Sequence, residues 1–141
     1  MKSKQLTLLS LLLVSILLLN GCADKKYADV EKALNEYNSV MSAFASEMEN
    51  AQSAQDVAKA LNNHTDQLKK ILPRLEKLGD KYPELEDKDT FPEELKTVQE
   101  KMEKTSQNYA RAMMKISPYM NDPAVQKAME YMNKASQNAV E

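Results

Sequence analysis

The feature that most constrains the fold is an uninterrupted heptad repeat in the first half of the chain. Apolar residues follow one another at alternating intervals of three and four residues: Tyr27, Val30, Leu34, Tyr37, Met41, Phe44 and Met48. This spacing puts their side chains in one stripe along an α-helix, and such a stripe has to be buried against other helices. The repeat predicts a first helix from about Asp24 to Glu49.

A second stripe predicts a second helix. Its members are Val57, Leu61, His64, Leu68, Ile71, Leu75 and Leu78. Ser53 and Asp56 have the spacing of a capping box, so the helix is expected to begin at Ser53. Gly79 is expected to end the helix in a left-handed cap. Pro73 is expected to kink it, because proline removes one backbone hydrogen bond.

Two further helices are predicted in the second half of the chain. The third has an apolar stripe formed by Phe91, Leu95, Val98, Met102, Thr105, Tyr109, Ala112, Met113 and Ile116. Thr90 and Glu93 would form its capping box, with Pro92 in the first turn. The fourth would have Asp122 as its N-cap and Pro123 at its first position. Its weaker apolar face consists of Val125, Ala128, Met129, Met132, Ala135 and Ala139.

Glycine content supports an all-α fold. The chain has two glycines, of which only Gly79 lies beyond residue 21. A β-rich domain would need more turn glycines, whereas Ala, Leu, Lys, Glu, Gln and Met are good helix formers. We predict that residues 27–141 form an up-down-up-down antiparallel bundle of four helices with a shorter last helix. A three-helix bundle with the last helix loosely attached is the alternative.

Residues 1–21 have the pattern of a secretory signal peptide. Lys2 and Lys4 precede an apolar run that extends from Leu6 to Leu19. This run is shorter than the roughly 20 residues that a membrane-spanning helix needs, so a cleaved leader is favoured over a retained span.

The stretch Leu19-Asn20-Gly21-Cys22 resembles the lipobox of bacterial lipoproteins. The resemblance implies cleavage between Gly21 and Cys22, a diacylglycerol on the thiol of Cys22, and acylation of the new amino terminus. Cys22 is the only cysteine of the chain, which excludes an intramolecular disulfide. Residues 22–26 would then be the lipid-anchored N-terminus and a short linker.

The residue after the cysteine bears on localisation. An Asp directly after the lipidated Cys resembles an inner-membrane retention signal of two-membrane bacteria, but Ala23 occupies that position here. The resemblance therefore points to the periplasmic face of the outer membrane. Lys25 and Lys26 would either add weak attraction to anionic headgroups or simply be solvated.

Composition argues against nucleic-acid binding and against catalysis. The chain has 19 basic and 21 acidic residues, a formal net charge of −2, and no basic footprint for nucleic acid. A single histidine without a Ser or Asp constellation is not a triad, and one glycine cannot form a phosphate-binding loop. We expect a non-enzyme without a cofactor.

His64, Met129 and Met132 are the candidates for a metal or cofactor site. Met129 and Met132 lie one turn apart in the predicted fourth helix, and thioether and imidazole groups are ligands for copper or haem. Core packing is the favoured interpretation. His64 would hydrogen-bond a facing Tyr, Thr or Asn, and the methionines would fill irregular gaps.

The segment Glu84–Glu94 is acidic, with six carboxylates against one lysine. Such a density of oxygen ligands suits Ca²⁺, but the spacing of an EF-hand and its central glycine are missing. A solvated acidic loop is the favoured interpretation, and contact with a basic partner is a further option that it leaves open.

Together these features predict a lipid-anchored helical module that binds or scaffolds a protein partner in the cell envelope. The alternative is a carrier of a small apolar ligand, haem or copper in the Met-rich interior of the bundle. The chain looks like the small helical lipoproteins of bacteria. It differs from the murein lipoprotein, which is one continuous helix with a terminal Lys for attachment to the cell wall.

Overall fold

The computed structural model describes residues 25–86 and 91–137, and in this part of the chain the fold is all-α. Four α-helices follow one another: α1 Ala28–Asn50, α2 Ala54–Lys81, α3 Lys96–Met114 and α4 Pro123–Gln137. Short 3₁₀ segments lie in the connections: Pro83–Glu86, Glu93–Leu95 and Ser117–Tyr119. The predicted four-helix fold is confirmed, including the short last helix.

The helices alternate in direction along the chain. α1 and α2 form an antiparallel hairpin, in which Lys81 at the end of α2 reaches Asp29 at the start of α1. α3 packs beside α1 and runs parallel to it, with Lys115 at its end near the Glu49 carbonyl. α4 packs beside α2, also in parallel, and Tyr131 donates to Asp66 across that contact.

Two helix starts follow from capping side chains, as predicted. The Ser53 hydroxyl accepts the Asp56 backbone N–H at 3.1 Å, and the Asp56 carboxylate reaches back to the N–H of Gln52. At the start of α4, the Asp122 carboxylate accepts the N–H of Ala124 at 2.8 Å. Each carboxylate also complements the positive end of the helix dipole.

The predicted end of α2 is wrong. Gly79 does not adopt a left-handed conformation, and the helix continues to Lys81. The helix ends at Tyr82, whose φ of −128° and ψ of 67° lie outside the helical region. Pro83 explains this stop, because the residue before a proline is disfavoured in the α conformation. Pro73 lies inside α2, which continues for about two more turns beyond it.

The predicted start of the third helix is also wrong. Pro92 is extended and precedes a 3₁₀ turn over Glu93–Leu95, and the α-helix begins only at Lys96. Leu95 is fully buried, and the tighter 3₁₀ turn connects its buried position to the exposed Glu93 and Glu94. Thr90, the predicted N-cap, lies outside the described residues.

Most of the buried apolar residues form two separate clusters at opposite ends of the bundle, and Ala33, Met41 and Ile71 belong to neither. The base cluster contains Tyr27, Val30, Tyr82, Leu95 and Val98. The far cluster contains Phe44, Met48, Val57, Ala58, Ala60, Leu61, Ala112, Ile116, Val125 and Ala128. We call the two ends of the bundle the base and the far end. The base holds the start of α1, and the far end holds the turn between α1 and α2.

Candidate functional site

A repeated sequence marks the base of the bundle. Lys26-Tyr27-Ala28-Asp29 enters α1, and Lys81-Tyr82-Pro83-Glu84 leaves α2. Both stretches have the order Lys, Tyr, any residue, acid. The antiparallel pairing of α1 and α2 brings the two stretches side by side, and each supplies the partners of the other. We call the six polar residues of the two stretches the clasp: Lys26, Tyr27, Asp29, Lys81, Tyr82 and Glu84.

The contacts of the clasp are reciprocal. On one side, the Glu84 carboxylate accepts hydrogen bonds from Lys26 at 2.8 Å and from the Tyr27 hydroxyl at 3.0 Å. On the other side, the Asp29 carboxylate accepts from Lys81 at 2.7 Å and lies 3.1 Å from the Tyr82 hydroxyl. The same hydroxyl is 3.0 Å from the backbone carbonyl of Lys26.

Aromatic packing lies under the polar contacts. The rings of Tyr27 and Tyr82 meet edge to face, with centroids 5.3 Å apart, and both residues are buried. The ammonium groups of Lys26 and Lys81 lie over the ring of the adjacent tyrosine, at 4.8 and 4.7 Å. The tyrosines therefore fix the clasp to the base cluster, while its charged groups stay in contact with water.

The charges of the clasp stabilise one another. The hydrogen bond from Lys26 lowers the pKa of Glu84 to about 2, and the bond from Lys81 lowers the pKa of Asp29. The pKa values of Lys26 and Lys81 are raised by the same bonds. All four groups remain fully charged at neutral pH. Lys25 also pairs with a carboxylate, that of Glu31 at 3.6 Å.

The clasp was not anticipated from the heptad stripes, although its signal is present in the sequence. The repeated Lys-Tyr-x-acid pattern falls at the start of one predicted helix and at the end of the next. A search for short repeats at the two ends of an antiparallel hairpin would have found it. The predicted lipidation residues, Gly21 and Cys22, lie outside the described residues, five and four positions before Lys26.

His64 occupies the position that core packing predicts. The residue is 3% exposed on α2, and its Nε2 lies 3.2 Å from the Tyr109 hydroxyl on α3. The ring also packs against Phe44 of α1, with centroids 4.6 Å apart. Nδ1 has no hydrogen-bond partner among the described residues. Burial lowers the pKa of His64 to about 4, so the imidazole is neutral at pH 7.

The methionine candidates lie elsewhere. Met129 and Met132 are half-buried on α4 and pack against the far cluster. Met132 also lines a cleft of about 120 Å³ between α4 and α2, beside Leu68 and Leu72. The hydrogen-bond partner of His64 is Tyr109 on α3 and its closest ring neighbour is Phe44 on α1, so the described contacts of the imidazole do not include a candidate methionine.

The described residues of the acidic segment have different partners and do not form one site. Glu84 belongs to the clasp, and Glu93 pairs with Lys96 on the next turn. Glu94 is exposed, and Asp87 and Asp89 lie outside the described residues. Over residues 25–86 and 91–137, no group of three or more His, Cys, Asp or Glu side chains is placed to hold a metal ion.

The far end carries the exposed apolar residues. Among the described residues, Met114 and Met120 are the exposed large hydrophobics, at 68% and 48%. They flank the 3₁₀ segment between α3 and α4. Beside them, α1 and α3 leave an open groove of about 530 Å³, whose lining includes Ser46, Arg111 and Lys115.

No helix in the described part of the chain is long and apolar enough to cross a membrane. Comparison of the chain with protein-family models, with curated proteins and with solved structures finds no match. A functional assignment therefore has to be argued from the residues of this chain.

Proposed function

We propose that this protein is a lipid-anchored module of a bacterial cell envelope that binds or scaffolds another envelope protein. In this proposal the acylated Cys22 holds the bundle on the periplasmic face of the outer membrane. The role is binding rather than catalysis, and no cofactor takes part.

The observation that carries the proposal is the sequence from Lys2 to Cys22. A charged start, an apolar run of limited length and a Leu-x-Gly-Cys ending occur together, in the order that lipoprotein processing requires. The clasp adds support from the other side of the cleavage point. It orders the chain from Lys26 onward, so a processed chain has a folded domain almost immediately after its lipid.

A protein partner is supported by the exposed methionines at the far end. Met114 and Met120 are flexible and polarisable, and exposed Met side chains are used by surfaces that adapt to a partner. A lipid attached at Cys22 is separated from them by the length of the bundle. These side chains are then presented to the periplasm rather than to the lipid.

Expression of the full chain in a bacterial host tests the anchor. We expect the protein in the membrane fraction, with an intact mass that corresponds to residues 22–141 plus a diacylglycerol and an acyl chain. The matched control, Cys22→Ser, should keep the helical fold but carry no lipid, and it should retain residues 1–21 because lipoprotein processing requires the cysteine. If the unchanged chain is unlipidated and keeps residues 1–21, or is cleaved at another position, the proposal is refuted. If the lipidated mass is found, crosslinking from position 114 in the lipidated protein identifies the partner.

The carrier function is the second candidate, and one observation favours it. His64, whose Nδ1 has no hydrogen-bond partner within residues 25–86 and 91–137, lines an open groove of about 540 Å³ between α1 and α2, together with Phe44 and Val40. Native mass spectrometry of residues 23–141 from a periplasmic preparation tests this candidate. A reproducible added mass that His64→Ala removes, and that Met129→Ala on α4 leaves in place, would favour a carrier that uses this groove. The bare chain mass would leave the interaction module in place.

A further inference from the structure

The clasp and the short chain before it restrict how the bundle can sit on a membrane. We infer that the bundle stands on its base, with the clasp against the lipid surface and the far end directed away from it. This inference rests on the proposed lipid anchor at Cys22, and it adds the orientation of the domain and the surface that faces the lipid headgroups.

The first step is the length of the tether. Cys22 and Lys26 are four residues apart, and a fully extended chain spans at most about 3.5 Å per residue, or about 14 Å in all. The Tyr82 hydroxyl holds the carbonyl of Lys26, and Glu84 holds its ammonium group. The clasp thus prevents the first turn of α1 from unwinding to lengthen the tether.

The second step is the distance to the other end. α1 has 23 residues, and a rise of 1.5 Å per residue makes it about 35 Å long. This length exceeds the tether by more than a factor of two. The far end therefore reaches the lipid surface only if the whole bundle lies down on one side.

The third step concerns the sides of the bundle. A helix that lies on a membrane needs an apolar face that enters the headgroup region. In the described ranges the exposed large apolar side chains are Met114 and Met120, and both are at the far end. The sides carry charged groups such as Glu36 and Arg74, paired at 2.5 Å. Within residues 25–86 and 91–137, no exposed large apolar side chain lies on a side to compensate for its desolvation.

The fourth step is electrostatic. The formal net charge of −2 becomes more negative when Lys2 and Lys4 leave with the leader. The two lysines nearest to the lipid are already paired with Glu31 and Glu84, so they add little attraction to anionic headgroups. Glu93 and Glu94 are exposed beside Leu95 of the base cluster, so repulsion from an anionic surface acts on the base as well as on the sides. Electrostatics therefore does not draw a side of the bundle onto the lipid, and the upright orientation rests on the short tether and on the polar sides.

The test uses the single cysteine of the chain. Once Cys22 is a thioether, an introduced cysteine is the only reactive thiol. The lipidated full chain is labelled at Gln55→Cys or at Lys77→Cys, two exposed positions on α2 that are about 33 Å apart along the helix. Energy transfer is measured to an acceptor lipid in vesicles of phosphatidylethanolamine and phosphatidylglycerol.

We expect the label at position 77 to lie near the bilayer and the label at position 55 to lie about 30 Å farther away. Tyr82→Phe combined with Glu84→Gln should reduce this difference, because an open clasp frees the start of α1. Glu36→Gln, which breaks an ion pair between α1 and α2 away from the clasp, should leave the difference unchanged. Helicity of each variant is checked by circular dichroism, and Glu84→Gln alone replaces the double variant if that variant unfolds.

Equal distances for the two labels in the otherwise unchanged protein would overturn the inference. So would a clasp variant that folds and keeps the full difference. A separate outcome is labelling of two thiols per chain, the introduced one and Cys22. It would show that the lipid anchor itself is absent, and it would overturn the proposed function together with the orientation.

Discussion

Acidification from pH 7 to pH 5 should destabilise the bundle through His64. In the folded protein, burial lowers the pKa of this imidazole to about 4, whereas an unfolded chain restores a value of about 6.5. The unfolded state therefore binds a proton that the folded state excludes. The contribution of neutral His64 to the free energy of unfolding is complete above pH 6.5. It decreases as the pH falls and stops decreasing near pH 4.

The magnitude follows from these two pKa values. Each pH unit between them costs about 1.4 kcal/mol, and integration from pH 7 to pH 5 gives a loss of about 2 kcal/mol. The carboxylates with lowered pKa values, such as Glu84 and Asp56, lose their contribution only as the pH falls below about 4.5. The interval from pH 7 to pH 5 thus isolates the histidine.

Urea denaturation of residues 23–141, followed by circular dichroism at several pH values, measures the loss. Because His64 is the only histidine, the two C–H protons of its ring are the only histidine ring signals in the proton NMR spectrum, and the pKa is read from them directly. His64→Gln should remove the dependence, and Tyr109→Phe should keep it. A free energy of unfolding that is flat from pH 7 to pH 5, or a folded-state pKa near 6.5, would refute the reasoning.

Three further predictions concern stability in the same denaturation assay. Leu61→Ala removes a fully buried side chain of the far cluster and should lower the free energy of unfolding by about 3 kcal/mol. Its control, Asn62→Ala at the exposed neighbouring position, should lower it by less than about 0.5 kcal/mol. Ser53→Ala removes the cap of α2 and should cost about 1 kcal/mol; an unchanged midpoint would mean that the cap contributes nothing. Gly79→Ala should stabilise the protein by about 0.5 to 1 kcal/mol, because the residue is helical and a Cβ there meets open space. A loss of stability would instead indicate the left-handed conformation in solution.

The helices and much of the core were predictable because their information is local. An apolar stripe with heptad spacing identifies the buried face of a helix whatever it packs against. Met41, Phe44 and Met48 are buried accordingly. The capping roles of Ser53 and Asp122 could be predicted in the same way, because a cap interacts with the first turn of its own helix.

The errors occurred where two local signals competed. Gly79 is a strong helix stop by composition, but Pro83 acts through the residue before it and determines where α2 ends. Tyr82 is also held by Asp29, a residue 53 positions earlier in the chain. The residue pattern of one helix cannot indicate a contact with a residue so far away in the chain.

The candidate site was predictable only in part, for the same reason. The sequence placed His64 in the core with a polar partner, and the structure identifies that partner as Tyr109. The choice among the available Tyr, Thr and Asn residues depends on how α2 and α3 are rotated. The clasp likewise requires the antiparallel register of α1 and α2, which joins two stretches that are more than 50 residues apart.

The division of the core into two clusters affects how the protein can evolve. The base cluster and the far cluster have no residue in common, and energetic effects of distant sites without shared partners usually add. Substitutions around Met114 and substitutions under the clasp are therefore expected to change the free energy of unfolding additively, neither altering the effect of the other. The surface of the far end can thus change in evolution without any repacking of the residues under the clasp.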